Sequence, residues 1–582
     1  MSNLIQAARE QVSALTQSAY EKAAAAGRLP AGAEIRSKVD IPKDVSHGDY
    51  ASSFAMAAAR ALGKPPREIA QALLEHLELD GTYFDKAEIA GPGFLNFTLG
   101  KKWFGEVLAS VESEGSLYGQ SDVGRGEKVM VEFVSANPTG PMHMGNARGG
   151  VLGDTLSAVL ERLGYDVWRE FYVNDAGNQI HKFATSIDAR YMQILLGEEN
   201  VPFPEEGYHG EDIKELARAI YAAHGDSWKE LPESERLERM AEYGLGVNIP
   251  KMKSDLLKYG IEYDRWFLES SLHESGAVAA TVAELTSRGW TYEKDGALWL
   301  NTTQLLKEKF LREGKTQEQV DKLELKDDVL RRANGFYTYF AADIAYHSNK
   351  LKDRGYHTAI NIWGADHHGH VARLQAALDG LGLDGSHRLV IVLMQLVNLL
   401  QDGKPVRMSK RSGKAIALHD LLDEISVDAA RFFFNNSKPT SPLDFDLDLA
   451  VRQDSDNPVY YVQYAHARIC SLCAKMAEEG MMVPAAGDVD ASLLSGSEEQ
   501  ALIKALARFP EEIRIAGRDY DPAQINRYLI SLAGDFHRFY NADRIKGEVP
   551  AVAEARLKLA DTTRSVLANG LALIGVTAPE RM

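Results

Sequence analysis

The chain has 582 residues, enough for several domains each with its own core, and its 45% hydrophobic and 25% charged residues are the profile of a water-soluble globular protein. The longest apolar run, 389–400, holds Gln395 and Asn398 and is too short to span a bilayer, and the opening residues show no basic-then-apolar leader. A formal net charge of −18 excludes a dedicated nucleic-acid-coating protein while leaving room for local basic patches, and two cysteines exclude a disulfide framework and point to the cytoplasm.

Residues 1–112 open with Leu4, Ile5, Ala8, Val12 and Leu15 at the helical period and close on a strand-like segment over 91–97. The Gly/Ser-rich stretch 113–126 reads as a domain boundary. Residues 129–134 form an almost continuous apolar run, the pattern of a strand buried on both faces. A loop with Pro138, Gly140 and Pro141 follows. A helix then runs from about Met144 through Leu152, Leu156, Val159, Leu160 and Leu163 and stops at Gly164, before a strand at 167–173. Strand, loop, helix and strand open a doubly wound α/β domain, expected over 113–453. Further strands are expected at 359–363 and 389–394, with a charged, mostly helical insertion over about 181–335. From 454 to 582 the pattern is helical, with one loop around 480–497. Cys470, Cys473 and His466 share one helix face there, but a structural zinc needs four ligands and no second cysteine pair exists, so packing on the helix is expected.

Four features carry chemistry. A helix starting directly after a buried strand, at 138–150, offers free N–H groups and a dipole to phosphate, with His143 as a donor and Gly145 clearing space; the alternative is a Gly-rich helix start that only packs. In 405–414, Arg407, Lys410, Arg411 and Lys414 surround Ser409 and Gly413 and could clamp a polyphosphate, where a solvated basic loop is the plain alternative. Glu132 lies inside an apolar strand and needs a cation, whether in a salt bridge at the strand end or in a substrate. Tyr339 and Asp343, spaced i, i+4, project from one helix face, and a cationic substrate, arginine or lysine, would give both carboxylates a partner.

His143-Met144-Gly145-Asn146 and Arg407-Met408-Ser409-Lys410-Arg411 resemble the His-Ile-Gly-His and Lys-Met-Ser-Lys-Ser signatures of class I aminoacyl-tRNA synthetases, in the right order. Asn146 replaces the second histidine, Arg407 the first lysine and Arg411 the final serine. Residues 132–138, Tyr339 with Asp343, and 174–179 resemble the arginyl family, as do 46–50 and 91–97 at one end and 457–468 and 579–582 at the other. The resemblance covers essentially the whole chain.

It implies a class I doubly wound (Rossmann-like) catalytic domain, an N-terminal α/β domain at the tRNA elbow and a C-terminal all-α anticodon-binding domain. The implied activity is ATP-dependent conversion of L-arginine to arginyl-adenylate and transfer to the 3′ end of tRNA(Arg). ATP would arrive with Mg²⁺, with no tightly bound metal, and the chain would be a monomer needing bound tRNA before it forms adenylate. By the same resemblance His143, Asn146 and Lys410 are catalytic, and Pro138, Gly145, Asp366, Met408 and Ser409 join them around ATP. Glu132, Ser135, Asn137, Tyr339, Asp343 and His367 are implied for arginine. Phe94, Asn96, Tyr464 and Met582 are implied for tRNA, Tyr464 by stacking on an unstacked base unless it is a core residue.

Overall fold

The computed structural model describes residues 3–42, 44–406 and 416–582. Its organising element is a five-stranded, wholly parallel sheet in the order Leu389–Met394, Thr358–Gly364, Lys128–Glu132, Asp166–Val173, Arg265–Leu268. Val129, Met130 and Val131 of the middle strand are buried, as a strand covered on both faces requires. The chain leaves this strand and builds first to one side and then to the other. Its carboxyl end is therefore the topological switch point, where open α/β sheets bind ligands. The helix Met144–Arg162 follows from it, burying Leu152, Leu156, Val159 and Leu160.

The expected strand over 129–134 ends two residues early, at Glu132, because the backbone turns sharply at Val134. The stretch 181–335 is mostly helical, yet it is not wholly apart from the sheet: Arg265–Leu268 joins as an edge strand, and Thr291–Lys294, Ala297–Leu300 and Asp328–Arg331 form a small antiparallel sheet. The charged, short strands there lack the apolar run that marks a buried strand.

At the amino end, four antiparallel strands, including Phe84–Ala90 and Phe94–Leu99, pack on the helix Leu4–Ala25 through Leu4, Ala8 and Val12. The carboxyl end is four long helices, Pro458–Glu478, Ser497–Arg518, Ala523–Ala542 and Pro550–Leu573. The Gly/Ser-rich stretch after Ser113 is not a loose linker. Tyr118 is buried and donates to Leu506 O (3.1 Å), Asn569 Nδ2 donates to Gly115 O (2.8 Å), and Glu112 pairs with Lys558, so the helix Lys101–Glu114 ties both ends of the chain together. Among the described residues, no helix is long and apolar enough to cross a membrane.

Candidate active site

The site is built on the turn that ends the middle strand. Ser135 N–H donates to Phe133 O (3.0 Å), closing a γ-turn around Val134, whose φ is 68°, and Ser135 itself has φ 44°. Two adjacent non-glycine residues in the left-handed region store roughly 1–3 kcal/mol of strain each, which neighbouring contacts must hold. They do: Ser135 Oγ donates to Glu132 Oε1 (2.9 Å) and accepts from Tyr172 N–H (3.1 Å).

Glu132 has a cation inside the protein, the salt-bridge alternative that its place in an apolar strand left open. Its carboxylate is buried against Lys350, itself fully buried, and accepts from Asn361 Nδ2 (2.9 Å). Glu170, on the neighbouring strand, is held by both arms of Arg354 (2.9 and 2.6 Å) and by Tyr346 OH (2.7 Å). Both buried carboxylates are thus neutralised from the end of one segment, the helix Tyr339–Ser348 and the turn Asn349–Asp353.

The start of that helix faces a cavity of about 590 Å³ lined by Tyr339, Asp343, Tyr172, Asn178 and Glu269 among others. Tyr339 OH accepts from Asn178 N–H (3.2 Å), and Asp343 Oδ2 meets His370 Nε2 at 3.0 Å. Glu269 is only 4% exposed. With its amide oriented to satisfy both ends, Asn174 donates to Glu269 Oε2 (3.2 Å) and Ala176 O (2.9 Å). Burial raises the Glu269 pKa above the ordinary carboxylate value, the Tyr172 hydroxyl pulls it back and the nearby Asp343 charge pushes it up again. Lys182 and Glu206, also on the cavity wall, are paired with each other. Glu269 and Asp343 both line the cavity, with His273 Nε2 3.7 Å from Glu269 Oε1 and His370 on Asp343, and among the described residues neither carboxylate pairs with a lysine or arginine. Sequence reasoning missed Glu269, although a carboxylate directly after the apolar Trp266-Phe267-Leu268 is the signal that singled out Glu132.

Beside this cavity lies a cleft of about 1740 Å³, with Ser135, Asn137, His143, Asn146, Asp366 and His367 on its walls. His143 caps the helix Met144–Arg162: its Nδ1 accepts from Gly145 N–H (3.2 Å), while Asn146 Oδ1 accepts from His143 N–H (3.0 Å). Asn146 thus completes the cap with its side-chain oxygen. With Nδ1 accepting, the proton of the neutral His143 ring is on Nε2, and desolvation lowers its pKa, so a neutral N–H donor faces the cleft. Pro138 is buried, with its carbonyl accepting from Asn248 Nδ2 (2.8 Å), and Asn137 Nδ2 donates to Gln179 Oε1 (3.0 Å). Asp366 and His367 stand exposed at the end of the strand Thr358–Gly364, 3.6 Å apart.

Met408, Ser409 and Lys410 lie outside the described residues, but both stems of their segment line the cleft, at Val406 and Ile416. Ala417 pairs with His143 as a β-bridge and Leu418 N–H donates to Met142 O (2.8 Å), so the flanks of the two signature segments meet. Arg148 braces the same wall. Fully buried, with burial lowering its pKa to about 10, it donates to the carbonyls of Gln395 (2.7 Å), Lys438 (3.0 Å) and Ser441 (2.9 Å).

Far from the cleft, Phe94 is half-buried and Asn96 is buried in its strand, which leaves Phe94 nearer the surface. Tyr464 is 39% exposed and not a core residue; it stacks on Tyr460 (6.0 Å, 8° between planes), with Arg468 over its ring at 5.9 Å. Met582 is exposed. His466 is spent on Pro579 O (2.8 Å), and no cluster of three metal-ligating side chains occurs among the described residues.

Residues 107–446 match the family model for tRNA synthetases class I (R), catalytic domain, so the parallel sheet and its cleft are those of a class I aminoacyl-tRNA synthetase. Residues 5–99 match the arginyl tRNA synthetase N terminal domain and 462–582 the DALR anticodon binding domain. The chain is 50% identical, over 582 residues and the full length of both, to an arginine–tRNA ligase of Caldanaerobacter subterraneus subsp. tengcongensis, and 47% identical over the same span to one of Acetivibrio thermocellus. It shares its fold with the Thermus thermophilus arginyl-tRNA synthetase structure (TM-score 0.68, 23% identity, 98% of this chain and 100% of that one covered). The chain belongs to the arginyl-tRNA synthetase family.

Proposed function

We propose that this chain, as an arginine–tRNA ligase, seats the guanidinium of L-arginine between Glu269, Asp343 and Tyr339 and forms arginyl-adenylate in the adjoining cleft. The observation that carries this is the pair of carboxylates facing one cavity, each beside a histidine and neither paired with a lysine or arginine among the described residues. A planar guanidinium satisfies both with parallel N–H bonds, a geometry that an ammonium cannot offer. Glu132 then acts at one remove, holding Ser135 and the strained turn beside the substrate. Asn137 and His367, on the cleft wall, are assigned to its α-amino and carboxylate end.

ATP enters as its Mg²⁺ complex, with its phosphates at the start of the helix Met144–Arg162, where His143 Nε2 and Asn146 Nδ2 present donors and Gly145 leaves room. Pro138 shapes that wall and Asp366 takes the ribose. An α-carboxylate oxygen of arginine attacks the α-phosphorus and the bond to pyrophosphate breaks. Lys410, with Met408 and Ser409, is assigned to the charge that develops as pyrophosphate leaves. The terminal ribose hydroxyl of tRNA(Arg) then attacks the activated carbonyl and AMP departs. Phe94, with Asn96 beneath it, meets the tRNA elbow, while Tyr464 and Met582 meet the anticodon side. The chain works as a monomer in the cytoplasm, and bound tRNA completes the ATP site.

Pyrophosphate exchange with arginine, lysine or citrulline, each with and without tRNA(Arg), tests this reading. Exchange is expected with arginine alone, and only once tRNA is present. Equal exchange with lysine would overturn the cavity assignment, none with any amino acid would overturn the activity, and strong exchange without tRNA would remove the coupling.

A further inference from the structure

Asp343 is the more exposed of the two carboxylates at the cavity, with 36% of its side chain accessible. A carboxylate that open turns freely unless something fixes it, and a guanidinium fork demands a fixed plane. Two chains of hydrogen bonds from distant parts of the sequence converge on this residue. On the strand side, Asn361 Nδ2 donates to both Glu132 and His347 Nε2 (2.9 Å each), so His347 carries its proton on Nδ1 and donates it to the Asp343 carbonyl (2.8 Å). That chain fixes the backbone.

The second chain reaches the carboxylate itself. Asp328 Oδ1 accepts from Arg373 Nη1 at 2.6 Å, Arg373 Nη2 faces His370 Nδ1 at 3.3 Å, and His370 Nε2 faces Asp343 Oδ2 at 3.0 Å. Asp328 is held in turn by Thr302 Oγ1 at 2.9 Å. A guanidinium has donors and no acceptor, so His370 Nδ1 must accept from Arg373. The ring proton is then on Nε2, aimed at Asp343. Packing holds the ring in place, edge-on to Phe340 (5.2 Å between centroids) and tilted against Trp363 (5.9 Å). The members of this chain come from a strand, Asp328–Arg331, and two helices, Tyr339–Ser348 and His368–Gly380, so no local element accounts for the alignment. One carboxylate oxygen is committed to His370, and the other has no protein hydrogen-bond partner among the described residues.

We infer that His370, locked by Arg373 and Asp328 as the Nε2–H tautomer, is a positioning residue for amino-acid selection: it clamps one oxygen of Asp343 so that the other meets the substrate guanidinium. The inference rests on the reading of Asp343 as a guanidinium acceptor. It also gives a task to a histidine three residues after His367, which lines the larger cleft.

The test uses the full chain with tRNA(Arg), reading KM for arginine, KM for ATP and kcat in exchange, with circular dichroism as the folding control. His370→Leu removes the donor, and KM for arginine should rise about 10- to 100-fold, the worth of a hydrogen bond to a charged group, with KM for ATP unchanged. His370→Gln places an amide at the Nε2 position and should stay within about threefold of the parent, whereas His370→Asn places it at the Nδ1 position and should behave like Leu. Unchanged KM for arginine in the Leu variant, or a matching rise for ATP, overturns the inference. If the Leu variant does not fold, the Gln–Asn pair decides, and equal KM values for the two overturn it. Asp343→Asn separates the levels: a normal KM for arginine there sinks the parent reading, while a raised KM there beside a normal one in His370→Leu sinks the clamp alone.

Discussion

Glu269→Gln isolates the charge of the more deeply buried carboxylate while keeping its shape. In the complex, Glu269 and the guanidinium would lie at hydrogen-bond range in a site that is 4% exposed on the protein side. Two unit charges 4 Å apart attract by about 4 kcal/mol at an effective dielectric of about 20. Part of that is offset, because the unliganded protein holds Glu269 against burial and against Asp343, as its raised pKa records. Asp343 also keeps its share of the substrate charge in the variant. The net loss should be about 2–3 kcal/mol, or about 30- to 150-fold in KM for arginine. KM for ATP should hardly move. Stability should go the other way: deleting a buried charge beside a like one leaves the melting midpoint of the unliganded protein level or higher. Exchange kinetics with tRNA present and a thermal melt give both numbers. A KM for arginine within threefold of the parent, or a loss shared equally with ATP, would refute the assignment; a melting midpoint that drops would show that Glu269 is a structural residue.

Because the Glu269 pKa is raised and a cation needs the ionised form, KM for arginine should climb as pH falls, at a pH above the ordinary glutamate range, and this acid limb should vanish in Glu269→Gln. The same raised value means that Glu269 favours the folded state at low pH and that this contribution is lost as pH rises through it. Lys350→Met leaves Glu132 buried without a cation and should cost about 3–5 kcal/mol in urea unfolding, partly restored by adding Glu132→Gln; a loss under 1 kcal/mol would mean that water or another group pairs Glu132. Tyr464→Ala should weaken tRNA binding by about 1–3 kcal/mol in a filter assay with no change in unfolding midpoint, and an unchanged affinity would assign the exposed ring no contact.

The sheet and the helix after it were legible because their signals are local. An apolar run, a Pro/Gly loop and a helical period within residues 129–164 suffice to place the switch point. Tyr339 and Asp343 were legible for the same reason, since i, i+4 spacing alone puts them on one face. What failed to show was pairing across long separations. Nothing near Glu132 in sequence announces Lys350, and nothing near Asp343 announces Arg373 or Asp328. Glu269 was hidden differently: the strand before it is four residues long and has a charged neighbour, Arg265, so it merged into the helical texture of its surroundings. In sequence Asn146 shows only as a replacement of the second histidine; that its Oδ1 completes the cap on His143 is visible only once the helix start is in place.

The placement of charge around the cavity at Tyr339 and Asp343 follows from which carboxylates the protein pairs with its own lysines and arginines. Glu132, Glu170 and Glu206 all lie near the switch point or on the cavity wall, and each has its own cation, in Lys350, Arg354 and Lys182. With those pairs closed, the cavity carboxylates that no lysine or arginine pairs among the described residues are Glu269 and Asp343, which have His273 and His370 beside them. These two are supplied by different parts of the fold, one from the end of the edge strand inside 181–335 and one from the second turn of the helix that leads on to Lys350. On the proposed reading, the parallel sheet sets where nucleotide chemistry occurs and the amino acid is chosen by these two carboxylates. A guanidinium, flat and able to meet both carboxylates at once, is the cation that this arrangement suits.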